Sequence, residues 1–149
     1  MDNAERLSHT RWECRYHIVF VPKCHRKLLY RQLRKELGPV LRSLAEQKEC
    51  RLEQEGLQRD HVHMLISIPP KYSVSQAVRY IKGKSAIWLA RNFGGRKRNF
   101  TGAHFWARGY FVSTVGRDED TVQEYIRRQE HEDRRNNRMS LFTDRSSES

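Results

Sequence analysis

Two histidines stand two residues apart in the segment DHVHMLISI, residues 60–68. Side chains alternate along a β-strand, so His61 and His63 project from the same face, with Cα atoms about 7 Å apart. Imidazoles at that separation can converge on one divalent cation. The same spacing also fits two surface histidines on a solvated strand face, and the pattern alone favours neither interpretation.

Tyr125 and Gln129 form a second pair in a segment whose pattern predicts a helix. Residues four apart share one helix face and lie one turn from each other, so this face carries a phenol and a carboxamide. Val122 and Ile126 are expected to face the core. A positioned phenol can act as a nucleophile, but a tyrosine can equally anchor an amphipathic helix. The chain contains six tyrosines, and the residues alone do not single out this one.

The positive charge is concentrated in one part of the chain. Lys and Arg number 29 against 18 Asp and Glu, a formal net charge of +11. The stretch from His61 to Arg117 contains no Asp or Glu, and a second acid-free run extends from Cys14 to Lys35. A solvated surface explains a single charge run, but ordinary soluble surfaces intersperse both signs. We therefore expect a polyanionic partner, nucleic acid before an anionic membrane surface.

Other protein classes are disfavoured. No apolar run approaches the roughly 18 residues that a transmembrane helix needs. The three cysteines, Cys14, Cys24 and Cys50, are odd in number and widely spaced, which disfavours a disulfide framework or a zinc ribbon and indicates a reducing, cytoplasmic location.

Hydrophobic periodicity and turn signals predict the element order β-α-β-β-α-β-α. Gly38-Pro39 predicts a kink in the first helix, and Gly56 predicts an irregularity in the second strand. We expect one domain over residues 1–133 and a polar, flexible tail over 134–149. The predicted strands are Trp12–Val21, Arg51–Gln58, Asp60–Ile68 and Phe105–Val115, and the predicted helices are Tyr30–Lys48, Ser73–Asn92 and Asp118–Glu132.

The first six elements match the split βαβ, ferredoxin-like pattern. In this α+β fold an antiparallel sheet carries two helices on one face. The third predicted helix, which contains Tyr125, is additional to that pattern. It either caps the sheet or belongs to the functional site.

Five segments, in this order, resemble one known family. They are HTRWECRYHIVFVPK, DHVHMLISIPPK, SVSQAVRYIKGKSA, FWARGYFVSTVG and EYIRRQ. The chain resembles the single-tyrosine transposases of the HUH superfamily, the compact class carried by insertion sequences, over roughly Thr10 to Glu132. The resemblance implies that His61 and His63 bind a divalent metal, that Gln129 completes the metal site and that Tyr125 is the nucleophile.

The resemblance also implies an activity and partners. It implies a transposase that cleaves and rejoins single-stranded DNA through a 5′-phosphotyrosine with Mg²⁺ or Mn²⁺. It implies a DNA substrate with hairpins at the element ends. It also implies a homodimer whose active sites are shared between its two subunits. The expected location is the cytoplasm of a bacterial or archaeal cell. A related HUH tyrosine nuclease and a non-catalytic hairpin-binding protein remain the alternatives. On charge alone, the expected phosphate contacts are Lys82, Lys84, Arg91, Arg96, Lys97 and Arg98.

Overall fold

The computed structural model describes residues 5–7, 10–23, 29–93, 105–114 and 120–131. The expected tail, 134–149, lies outside these residues. None of the helices in the described part is long and apolar enough to cross a bilayer. The strands are β1 (Glu5–Leu7), β2 (Thr10–Trp12), β3 (Arg15–Phe20), β4 (Arg51–Leu57), β5 (Val62–Ser67) and β6 (Phe111–Ser113), and the helices are α1 (Arg31–Gln47), α2 (Val74–Phe93) and α3 (120–131).

The main sheet has four strands in the order β4-β5-β3-β6. Every neighbouring pair in this sheet is antiparallel. β3 and β4 are separated by β5, which is the arrangement that the split βαβ pattern predicts. The predicted α+β, ferredoxin-like fold is therefore confirmed, with the tyrosine on an additional C-terminal helix.

The larger core lies between this sheet and the helices α1 and α2. Four leucines of α1 recur at the 3.6-residue period and are buried, as are the inward residues of β3 and β5. Each such side chain contributes about 1.5–3 kcal/mol when it leaves water. The residues concerned include Leu33, Leu37, Leu41 and Leu44 of α1, Ile18 and Phe20 of β3, Val62, Met64 and Ile66 of β5, and Val78, Ile81 and Leu89 of α2.

A smaller core lies on the opposite face of the sheet. It joins Val19 and Val21, at the end of β3, to Val122 and Ile126 of α3, with Ala107 beside them. Because residues alternate along β3, Ile18 and Phe20 face the helices α1 and α2 while Val19 faces α3. The third helix therefore covers the sheet face that α1 and α2 leave open.

Both long helices are confirmed, and their ends lie within one residue of the predicted bounds. α1 continues through Gly38-Pro39 and ends at Gln47. At the start of α2 the Ser73 hydroxyl accepts from the Gln76 backbone N–H at 3.1 Å, and the Gln76 side chain accepts from the Ser73 N–H at 2.8 Å. This reciprocal pair is a capping box, so Ser73 caps the helix.

Three strand predictions were wrong in detail. The expected strand Trp12–Val21 is divided, because Trp12 pairs with Glu5 in a separate two-stranded sheet and the main sheet begins at Arg15. The irregularity expected at Gly56 lies instead between Leu52 and Gln54, where the β4–β5 register shifts. That shift is the signature of a β-bulge, which adds one residue to a strand.

The expected strand Phe105–Val115 is also interrupted. Trp106 forms a single bridge with Pro22, and regular pairing resumes only at Phe111. Between them Gly109 adopts a positive φ of 78°, which glycine tolerates without a Cβ penalty. Lys82 of α2 donates to the carbonyls of Ala107 and Gly109, each at 2.8 Å. These carbonyls are therefore bound to a helix rather than to a neighbouring strand.

Candidate active site

His63 occupies the centre of the sheet face that α3 covers. It lies opposite Gly56 on β4 and opposite Val19 on β3, and Val19 in turn lies opposite Phe111 on β6. Residues directly opposite in an antiparallel ladder share a face. His63 and Phe111 thus flank Val19, two strand spacings or about 10 Å apart. The His63 side chain is only 8% exposed.

Tyr125 is held over the same face by the packing of α3. Val122 and Ile126 anchor the helix on Val19, and Tyr125 packs at the edge of this cluster. The Tyr125 ring lies 6.0 Å from the Phe111 ring, centroid to centroid. The sequence-predicted nucleophile and one predicted metal ligand therefore lie on one face of the sheet, on the two sides of Val19.

His61 immediately precedes β5, and its side chain is 13% exposed. Its Nδ1 lies 2.8 Å from the Asp60 carboxylate. When the carboxylate accepts the Nδ1–H, the lone pair of the neutral ring is on Nε2. A carboxylate that holds one nitrogen in this way is the usual outer partner of a metal-binding histidine.

A third histidine, His17 of β3, contacts His63. The His17 Nδ1 and the His63 Nε2 are 3.3 Å apart. The rings are nearly parallel, at 16°, with centroids 5.5 Å apart. This contact crosses from β3 to β5, so His17, which was not among the predicted site residues, lies beside His63 on the same face of the sheet.

Gln129 lies one helical turn after Tyr125 on α3 and is half-buried. Within the described ranges, no group of three or more His, Cys, Asp and Glu side chains is placed to hold a metal ion. A metal site built on the two histidines would therefore need an amide such as Gln129, or an oxygen of the substrate. Imidazole and amide donors suit Mn²⁺, and the amide oxygen suits Mg²⁺.

The donor chemistry at the two histidines fits such an ion. Asp60 holds one nitrogen of His61, which directs the other nitrogen of that ring away from the carboxylate. The Nδ1 of His63 faces Gly56, where a Cβ would lie 3.6 Å from it. The missing side chain leaves space beside this nitrogen. The residues present can therefore hold a divalent cation.

Lys82, one of the predicted phosphate contacts, is instead partly buried beside the Ala107–Gly109 segment. Its ammonium donates to the two carbonyls there, and burial lowers the pKa of Lys82 to about 8 from 10.5. The two carbonyls stabilise the charged ammonium of Lys82, but the loss of hydration on burial has the larger effect on its pKa. Ser85, one turn later, accepts from the Trp106 indole N–H at 3.0 Å. Both residues therefore fasten the segment before β6 to α2.

The low pKa of Lys82 predicts a pH-dependent stability. Between about pH 8 and 10.5 the unfolded chain keeps this proton while the folded chain releases it, so the contribution of Lys82 to the free energy of unfolding rises with pH. Urea titrations at pH 7.5, 9 and 10 should show the wild type gaining stability relative to Lys82→Met. Lys84→Met, at an exposed position of the same helix, is the control. Equal pH profiles for the two variants would contradict the buried ammonium.

The other predicted DNA contacts have different positions. Lys84 and Arg91 are exposed on α2, whereas Arg96, Lys97 and Arg98 lie outside the described residues. A cavity of about 540 Å³ opens between α2 and the 106–110 segment. Arg79 and Arg108, both exposed, line it together with the apolar side chains of Val78 and Ile87.

The predicted site omitted His17 and Asp60. Each had a signal in the sequence. Asp60 directly precedes the first histidine, and His17 alternates with Val19 and Val21 along a predicted strand. What the sequence did not supply was the β3–β5 register, which brings His17 within hydrogen-bonding distance of His63.

Comparison with known proteins agrees with this fold and identifies a family. The family model described as transposase IS200 like matches residues 10–129. The transposase for insertion sequence element IS200 of Salmonella typhimurium is 43% identical over 141 residues, covering 95% of this chain and 93% of that protein. The ISDra2 transposase TnpA of Deinococcus radiodurans is 26% identical over 119 residues, covering 79% of this chain and 85% of that protein.

Solved structures share the fold. A candidate transposase from Deinococcus radiodurans superposes with a TM-score of 0.76 at 24% identity, covering 84% of this chain and 97% of that one. A REP-associated tyrosine transposase bound to a REP hairpin gives a TM-score of 0.51 at 14% identity, covering 79% of this chain and 68% of that one. The family model spans β2 to α3 and so includes both histidines, the tyrosine and the glutamine. The chain belongs to the family of IS200-like transposases.

Proposed function

We propose that this transposase cleaves and rejoins single-stranded DNA through a 5′-phosphotyrosine at Tyr125, with a divalent ion held by His61, His63 and Gln129. One observation carries the proposal: α3 packs so that Tyr125 lies on the same sheet face as His63, beside the Val19–Phe111 row. A phenol and imidazole ligands on one surface are the parts that phosphoryl transfer to tyrosine needs.

The tyrosine accounts for both cleavage and rejoining. A bound Mg²⁺ or Mn²⁺ would polarise the scissile phosphate and offset its charge. The Tyr125 oxygen forms a bond to phosphorus, the bond from phosphorus to the 3′ oxygen breaks, the phenol loses its proton to solvent and the 3′ oxygen takes one up. The number of phosphodiester bonds is unchanged. A second 3′-OH can therefore reverse the step and join new ends without ATP.

We propose that the exposed cations on and beside α2 bind the DNA backbone. Lys84 and Arg91 are exposed on α2, and Arg79 and Arg108 line the cavity beside it. Lys82 stays in the predicted set with Arg96, Lys97 and Arg98, but in this structure its ammonium is bound to two carbonyls. Backbone contacts of this kind position a nucleic acid without reading its sequence.

Hairpins at the ends of the element are the proposed substrate feature. The REP-associated tyrosine transposase that shares this fold is bound to a REP hairpin. We also propose a homodimer in which α3 of one subunit serves the histidine pair of the other. The face that α3 would meet in a partner is the one it meets in its own chain, Val19 with Val21 and Ala107.

The position of the label in the covalent product tests the proposal. Single-stranded oligonucleotides carrying the sequences that flank the gene would be labelled at either the 3′ or the 5′ end and incubated with the protein and Mn²⁺. We expect a denaturation-resistant adduct that carries only the 3′ label, and a released 5′ fragment ending in a 3′-OH. The same sequence as a perfect duplex serves as the control and should give little adduct.

Two results would contradict the proposal. An adduct that carries the 5′ label would mean that the tyrosine is joined to a 3′-phosphate. Tight hairpin binding with no cleavage in either Mg²⁺ or Mn²⁺ would instead identify a non-catalytic hairpin-binding protein.

A further inference from the structure

His17 lies on the same face of β3 as Val19, the face on which α3 packs. The proposed chemistry assigns this histidine no role. It lies on β3, where Leu65 of β5 and Ser113 of β6 are its direct neighbours. His63 is opposite Val19, two residues further along β3. The contact between the two histidines is therefore diagonal across the ladder. Backbone positions related in this way are about 7–8 Å apart, a distance that aromatic and other long side chains can span.

The geometry limits what His63 can do. Its ring is nearly fully buried, with Nδ1 toward Gly56 on one side and Nε2 at 3.3 Å from the His17 Nδ1 on the other. A neutral imidazole has one N–H and one lone pair. A partner that holds one nitrogen therefore determines both the plane of the ring and the nitrogen that carries the lone pair.

We propose that His17 is the positioning residue for His63. It orients the His63 ring as a metal ligand, as Asp60 orients His61 at 2.8 Å. The inference rests on the proposed function, because it takes His63 to bind the metal. Each imidazole of the pair then has its own protein partner, a carboxylate for one and a third imidazole for the other. Outer partners of this kind change metal affinity by about 10–100-fold when they are removed.

Two substitutions of His17 distinguish the effect of its hydrogen bond on the His63 ring from the effect of its side-chain volume. His17→Phe keeps an aromatic ring against His63 but has no nitrogen. His17→Asn places an amide atom close to the position of the imidazole Nδ1 and so retains the hydrogen bond. Tyr16→Phe is the matched control, because it removes one polar atom from the adjacent residue of β3, whose side chain packs on the opposite face of the sheet.

The measurement is the Mn²⁺ affinity of the full chain without DNA, followed by the electron paramagnetic resonance signal of free Mn²⁺. We expect His17→Phe to raise the Kd by about tenfold or more, and His17→Asn and Tyr16→Phe to stay within about threefold of the wild type. Thermal melting identifies variants that have lost the fold. His17→Phe with an unchanged Kd, or His17→Asn as weak as His17→Phe, overturns the positioning role.

A further variant distinguishes this inference from the function on which it rests. His63→Ala should weaken Mn²⁺ binding more than either His17 variant. If His63→Ala binds Mn²⁺ as the wild type does, the proposed metal site itself is wrong. If His63→Ala loses binding while His17→Phe retains it, only the role of His17 is wrong.

Discussion

Tyr125→Phe is expected to abolish the covalent protein–DNA adduct and to reduce strand cleavage by at least about three orders of magnitude. Removing a nucleophile that acts together with its supporting groups costs about as much as removing the whole set. Phenylalanine has no oxygen to bond to phosphorus. A labelled single-stranded element end and denaturing electrophoresis measure both quantities.

The fold should survive this substitution. Phenylalanine retains the ring that lies 6.0 Å from Phe111, and Val122 and Ile126 still anchor α3. We expect the free energy of unfolding to change by less than about 1.5 kcal/mol. Tyr110→Phe, a half-buried tyrosine just before β6, is the control and should cleave normally. As much adduct from Tyr125→Phe as from the wild type would show that another residue attacks.

The second large expected effect is the loss of strand cleavage in the variants His61→Ala and His63→Ala. Each removes an imidazole from the proposed metal site, so cleavage in Mn²⁺ or Mg²⁺ should fall by about 10³-fold or more, equivalent to several kcal/mol of transition-state stabilisation. His131→Ala, exposed at the end of α3, removes the same side chain elsewhere and should have little effect. Cleavage rates over a titration of metal concentration are the measurement.

The two histidine variants should differ in stability. His63 is 8% exposed and contacts His17, so His63→Ala leaves a cavity and a polar partner without its bond. His61 precedes the strand and bonds a carboxylate that is itself exposed. We therefore expect a lower melting temperature for His63→Ala than for His61→Ala. Near-normal cleavage by both variants would contradict the metal site.

Mixing inactive variants tests how the site is divided between subunits. In a dimer with shared sites, one Tyr125→Phe subunit and one His63→Ala subunit form one intact site. Random mixing should then restore about a quarter of the wild-type activity, because half the dimers are mixed and each has one of two sites intact. No recovery would mean that each chain builds its own site, with α3 on its own sheet.

Much of this protein follows from local sequence pattern. The 3.6-residue period of leucines predicted α1, the apolar periodicity through Ser73–Asn92 predicted α2, and the alternation through residues 60–68 predicted β5, which contains His63. These features depend on steric and hydrogen-bonding preferences within about one or two turns of chain. The candidate residues Tyr125 and Gln129 share a helix face for the same reason.

Contacts between distant segments were decided only by the tertiary structure. The interruption before β6 depends on Lys82, whose ammonium binds two carbonyls 25 and 27 residues away. The His17–His63 contact spans 46 residues and requires one β3–β5 register, because a shift of one residue would move every side chain to the other face.

The sequence by itself supplied the candidates: an alternating histidine pair, a tyrosine with a glutamine one turn later, and a long acid-free stretch, with the tyrosine singled out by the resemblance to the family. Their types and local spacing are properties of the chain. The tertiary structure decided that α3 packs on the face opposite α1 and α2, which brings Tyr125 over the His63 side of the sheet. That placement depends on a small core built from Val19, Val21, Ala107, Val122 and Ile126, whose members come from separate segments and meet only in the folded chain.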